Sequence, residues 1–130
     1  MINNKISTED KILNSAFNIF LLFGYHGTTI QQIAMQAGVN KSAVHYYFRS
    51  KERLYTKVVK KVLDLYFDTN VEINTTREGL EKPTWFLLSE LYNNKNLFEK
   101  TLKKIYPDDW DSKLRNLANW LQFTKSGKFR

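Results

Sequence analysis

Residues 28–54 read TTIQQIAMQAGVNKSAVHYYFRSKERL, and the punctuation of this stretch decides the architecture. Gly38 stands where one helical pattern stops and another begins, with Ala34 four residues before it and Val44 six after. A small residue lets two helices approach, glycine turns the corner, and an apolar residue roots the second helix. The combination predicts a helix-turn-helix, whose second helix keeps one face free to enter a nucleic-acid groove.

The flanking signals agree. Thr29 with Gln32 three residues on forms a capping box for helix 2, whose Ile30, Ile33, Ala34 and Ala37 share one face. Gln31 and Met35 lie opposite. Asn40 is a preferred N-cap for helix 3, and Val39 is placed to staple onto Val44. From Val44, at 100° per residue, Phe48 and Tyr47 fall on the buried side, while Ser42, His45, Tyr46 and Arg49 point away. A helix of two turns cannot stand alone in water, so its neighbours must hold it. Before it, Ser7 caps helix 1, which buries Ile12, Leu13, Ala16, Phe17, Phe20 and Leu21 and stops at Gly24. After it, Ser50 caps helix 4, with a stripe through Leu54, Val58, Val62 and Tyr66 that runs to about residue 72.

Residues 74–83 read as a connection. Beyond it lie three further helical segments: Thr84 to Tyr92, one opened by Asn96 with Glu99, and one capped by Asp108 or Asp109. The last of these carries Trp110, Leu114, Leu117, Ala118 and Leu121 on a stripe. The tail from Thr124 is polar and basic and is expected to fray. The reading is all-α: a three-helix, homeodomain-like helix-turn-helix domain over residues 1–56, joined through a long fourth helix to a small helical region over 57–130.

The 130 residues carry a net charge of +7 and a pI near 9.6, which favours an anionic partner. The charge is spread along the chain: residues 1–56 hold 6 Lys/Arg against 3 Asp/Glu, and residues 57–130 hold 14 against 10. Composition therefore adds little, and the motif carries the case. There is no cysteine, hence no disulfide framework, thiolate metal site or cysteine nucleophile. No apolar run reaches spanning length and no signal-peptide core opens the chain, so the expectation is a cytoplasmic protein without a membrane partner.

Two lysines sit where helix electrostatics alone would not put them. Lys41 and Lys51 each occupy the first position of a helix, beside its positive end, at a cost of a few tenths of a kcal/mol. A phosphate reverses that sign. Ser42, His45 and Tyr46 form the outward face of helix 3 and suit phosphates or base edges, and Ala43 is small enough to meet a thymine methyl. Tyr47 carries a ring suited to the core and a hydroxyl suited to backbone. Thr28 and Thr29 offer hydroxyl and N–H groups to phosphate, and Thr29 has a structural duty as a cap.

Gly24-Tyr25, Thr28-Thr29-Ile30, Ile33-Ala34, Ala37-Gly38-Val39, Val44, Tyr47-Phe48 and Ser50-Lys51-Glu52 with Leu54 resemble the N-terminal domain of the TetR family of transcriptional regulators, over about residues 8–60. The resemblance implies that helix 3 is the recognition helix. It also implies a homodimer that binds a palindromic operator on double-stranded DNA, usually as a repressor released by a small-molecule effector. Carried over by position, the DNA-facing set is Thr28, Thr29, Gln31, Lys41, Ser42, Ala43, His45, Tyr46, Tyr47 and Lys51. The family usually has Leu-Tyr where this chain has Val44-His45, and often His where it has Tyr47. A histidine that touches phosphate would bind more tightly on acidification.

Only about 70 residues follow the matching region, fewer than the family usually has, so residues 57–130 read as a shortened or truncated dimerisation and regulatory region. Trp85, Phe86, Tyr92, Phe98, Tyr106 and Trp110 are its candidate ligand-binding residues, with ordinary core and subunit interface as the alternative. A different class of function is a helical protein-interaction module that has kept the fold and lost DNA binding or ligand sensing. Catalysis is not expected. His26 and His45 pair with no nucleophile, Asp108, Asp109 and Asp111 read as helix caps, and no cofactor or metal is implied.

Overall fold

The computed structural model describes residues 5–67 and 81–123, and the secondary structure among them is helical throughout. The helices are α1 (Thr8–Phe23), α2 (Ile30–Ala37), α3 (Lys41–Phe48), α4 (Lys51–Phe67), α5 (Glu81–Asn93), α6 (Lys95–Ile105) and α7 (Trp110–Phe123). By packing, the chain divides into Met1–Val58 and Val59–Arg130, with α4 contributing to both units.

In the first unit each helix starts where a short polar side chain caps it. The Ser7 hydroxyl accepts from the Asp10 N–H at 3.1 Å. Thr29 and Gln32 close the full box, Gln32 N–H to Thr29 hydroxyl at 3.1 Å and Thr29 N–H to the Gln32 amide at 2.8 Å. The Asn40 side chain accepts from Ala43 N–H at 3.0 Å, and the Ser50 hydroxyl from Arg53 N–H at 3.1 Å. Gly38 ends α2 in the left-handed region, φ 73° and ψ 32°. A Cβ there would meet nothing within 4 Å, so the turn needs glycine for its dihedral and not for space.

The core of this unit is Ile12, Ala16, Ile19 and Phe20 of α1 with Ile33 and Ala34, Val44 and Phe48, and Leu54, Tyr55 and Val58. Each full burial of a large aliphatic or aromatic side chain contributes roughly 1.5–3 kcal/mol. Only Val44 and Phe48 of α3 are buried, so this short helix hangs on two anchors one turn apart. Ser15 links α1 to α2, its buried hydroxyl donating to the Ile33 carbonyl at 3.0 Å.

The second unit packs Val59, Val62 and Leu63 with Phe86, Leu87, Phe98, Leu102, Leu117 and Leu121. Tyr66 shares a 2.8 Å hydrogen bond with Thr84, and burial pushes its phenol up to about 12. Several expectations shift here. Glu81, Lys82 and Pro83 belong to the first turn of α5, where proline is tolerated because its missing N–H has no helical partner to lose. The start of α6 is at Lys95 and not Asn96, and Asn94 makes no side-chain capping bond; its carboxamide N–H donates back to Glu90 at 3.2 Å. Ala118 is exposed. Asp109 and Asp111 each pair one turn along α7, with Lys113 at 3.8 Å and Arg115 at 3.3 Å. The expected end of helix 4 near residue 72, most of the connection at 74–83 and the tail from residue 124 lie outside the described residues.

Candidate nucleic-acid interface

Rooting α3 through Val44 and Phe48 fixes which side chains it presents. Lys41, Ser42, His45 and Tyr46 are all exposed, Tyr46 at 70%, and Ala43 is half-buried. Tyr47, which helical spacing put on the buried side and the family resemblance put in the DNA-facing set, is 40% exposed and packs edge-on against Tyr46 with ring centroids 5.0 Å apart. The pair forms one exposed aromatic surface on α3. Gln31 of α2 is also exposed, as is Met35.

Several of these groups already have local work. Ser42 donates to the Asn40 carboxamide oxygen at 2.6 Å, so in this state its hydroxyl is left as an acceptor. Thr29 is exposed, with its hydroxyl and N–H both held in the capping box. Nδ1 of His45 lies 3.4 Å from the Arg49 carbonyl, a long contact that leaves Nε2 as the outer nitrogen.

Thr28 is the correction. Its side chain is fully buried, and its hydroxyl donates to the Gly24 carbonyl at 2.7 Å. The hydroxyl is therefore not presented to a phosphate. It ties the loop between α1 and α2 instead.

The passage from α3 to α4 is unusually tight. The Ser50 N–H donates to the Phe48 carbonyl at 2.8 Å, closing a three-residue turn around Arg49 with φ 73° and ψ −46°. This is the strained sense of the γ-turn, and Arg49 is a non-glycine residue held there. The turn brings the start of α4, with Lys51, directly after the last residue of α3. Lys51 is half-buried, its Nζ 4.2 Å from the centroid of the Tyr25 ring, and burial holds its pKa below the ordinary lysine value. Sequence reasoning missed Tyr25. The two residues lie 26 positions apart, and no local pattern joins them.

The six aromatic candidates for a ligand site differ widely in burial. Phe86 and Phe98 are buried core, whereas Trp85 and Tyr92 are 68% and 70% exposed. Tyr106 and Trp110 are half-buried, with Lys113 5.2 Å and Lys103 4.6 Å from their respective ring centroids. An open groove of about 440 Å³ lies in the other unit, lined by Ile19, Phe23, Gln32, Met35 and Gln36.

Residues 12–58 match the bacterial regulatory proteins of the tetR family. The HTH-type transcriptional regulator RutR of Escherichia coli (strain K12) is 49% identical over 62 residues, 47% of this chain and 29% of RutR. The probable HTH-type transcriptional regulator YttP of Bacillus subtilis (strain 168) is 31% identical over 110 residues, 80% of this chain and 53% of YttP. Among solved structures, a mutant HlyIIR protein with a segment substituted by alanine is similar at TM-score 0.58 and 26% identity. That likeness covers 98% of this chain and 76% of the HlyIIR chain. The chain spans about half the length of YttP and less than a third of RutR.

Proposed function

With residues 12–58 the chain belongs to the tetR family of bacterial regulatory proteins, and on that premise we propose that it is a sequence-specific DNA-binding transcriptional regulator. The observation that carries the reading is the division of α3. Val44 and Phe48 hold it from below, and its outer face offers a lysine, a serine, a histidine and two tyrosines. Lys41 and Lys51 fix register on the phosphates; Ser42, Ala43, His45, Tyr46 and Tyr47 meet bases and backbone within the groove. Gln31 and the capped start of α2 at Thr29 reach the flanking backbone. Thr28 belongs to this interface as a brace for the loop.

The same proposal includes a homodimer on a palindromic operator, because a two-turn helix reads too few base pairs for useful discrimination and a second copy doubles the site. Residues 1–56 then serve DNA binding, and residues 57–130 serve dimerisation and regulation. Seated across a promoter operator, such a dimer would exclude polymerase and act as a repressor. For release by a small effector, Tyr106 and Trp110, half-buried beside Lys113 and Lys103, are the better supported of the six aromatic candidates. Among the described residues no helix is long and apolar enough to cross a membrane.

Selection of bound duplexes from a randomised pool tests the reading. An inverted repeat with half-sites about 34–36 Å apart, or a multiple of that, is the expected product. Enrichment of an asymmetric sequence would remove the dimer on a palindrome. No enrichment at all would remove the regulator.

A further inference from the structure

We propose that Tyr25 is a positioning residue for DNA binding: its ring holds the Lys51 ammonium in place for a phosphate at the start of α4. The inference rests on the DNA-binding reading above.

A lysine at the first position of a helix has four rotatable side-chain bonds and a repulsive helix end behind it. Left alone it swings into solvent, and ordering it on a phosphate costs rotamer entropy. Lys51 does not stand alone. Its Nζ lies 4.2 Å from the Tyr25 ring centroid, close enough for the negative face of the ring to attract the ammonium. An ammonium has three N–H groups; one directed at the ring leaves the others facing outward. The contact thus selects one rotamer without using up the lysine's capacity to bind an anion.

The platform itself is fixed. Tyr25 stacks on Phe20 at 6.3 Å and meets the edges of Tyr55 at 5.0 Å and His26 at 5.2 Å. Phe20 and Tyr55 are fully buried, so two of the three ring contacts are core. The loop carrying Tyr25 is pinned at both sides. Thr28 donates to the Gly24 carbonyl, and at Gly27 a Cβ would stand 2.3 Å from the Phe23 carbonyl oxygen, so the loop closes onto α1 only with glycine there. The ordering of Lys51 is therefore part of folding and need not recur on binding. This explains why a lysine tolerates partial burial beside a positive helix end: the ring offsets the desolvation, and the phosphate completes the site.

A double-mutant cycle tests it, with the duplex enriched by the wild-type chain as probe. Lys51→Met weakens binding and lowers the slope of log K against log salt by about one. Tyr25→Leu alone weakens binding about two- to fivefold. Tyr25→Phe, which keeps the ring face, stays within about twofold of wild type. In the Lys51→Met background, Tyr25→Leu has no further effect. Equal losses from Tyr25→Leu in both backgrounds would mean a merely structural ring and overturn the proposal. A second readout needs no DNA: the ring must move the Lys51 ε-methylene proton resonances upfield in the free wild-type protein and in Tyr25→Phe. Absence of that shift also overturns it. A wild-type chain that enriches no duplex defeats the DNA reading and this inference together, whereas an uncoupled cycle defeats this inference alone.

Discussion

The two units of this chain are built from similar helices, yet only the first divides its duties cleanly. In the first unit the anchors of α3 are aliphatic or aromatic and buried, and the presented groups are polar or aromatic and exposed. In the second, aromatic residues fall on both sides of α5: Phe86 is buried while Trp85 and Tyr92, seven residues apart on one face, are exposed. The lesson is that a site shows itself where chemistry separates the packed face from the presented one. Where one residue class does both, fold and function cannot be told apart by type.

The largest effects come from breaking that separation within α3. Phe48→Ala should cost about 3–5 kcal/mol of first-unit stability, read by urea unfolding, because it leaves a cavity under one of two anchors. Tyr46→Ala, on the exposed face two residues away, should change stability by less than about 0.5 kcal/mol while weakening DNA binding. Similar stability losses from both would erase the distinction. Gly38→Ala comes next. It places a side chain in the left-handed region at φ 73°, with open space around it, so the expected loss is the dihedral strain of about 1 kcal/mol or more.

A comparable test in the second unit is Tyr66→Phe, which removes the hydrogen bond to Thr84 for about 1 kcal/mol. It also changes the alkaline limb. Burial raises the folded phenol to about 12 from an ordinary value of 10.0, so the neutral ring stabilises the fold fully below pH 10.0. That contribution is lost as pH rises through about 12, and Tyr66→Phe should lack this component of alkaline unfolding. The smallest effect is expected from Trp85→Ser. At 68% exposure it should alter second-unit stability by no more than about 0.5 kcal/mol. A loss of several kcal/mol would show that this aromatic face is covered in solution.

The caps of the first unit, the glycine turn and the two anchors were legible because each is a local signal, confined to four or five residues. Helical spacing alone misplaced Tyr47, which the family resemblance set among the DNA-facing residues, for a geometric reason. It lies 60° from Val44 around the helix, and an eight-residue helix resting on two anchors buries too narrow a sector to include it. Thr28 and Thr29 look alike in sequence, yet one faces the loop interior and the other caps α2. The Tyr25–Lys51 contact was illegible because it depends on how α1 and α4 meet. The aromatic set of the second unit was legible as aromatic and nothing more, since periodicity cannot sort a helix that carries rings on both faces.

The central claim is that the outer face of α3, with its two flanking lysines, binds DNA. Its most direct test is affinity for the enriched duplex and for a scrambled one across a salt series. The account predicts a steep negative slope of log K on log salt, reduced by about one in Lys41→Met, and tighter binding of the enriched duplex at every salt concentration. A slope near zero, with equal affinity for both duplexes, would contradict it.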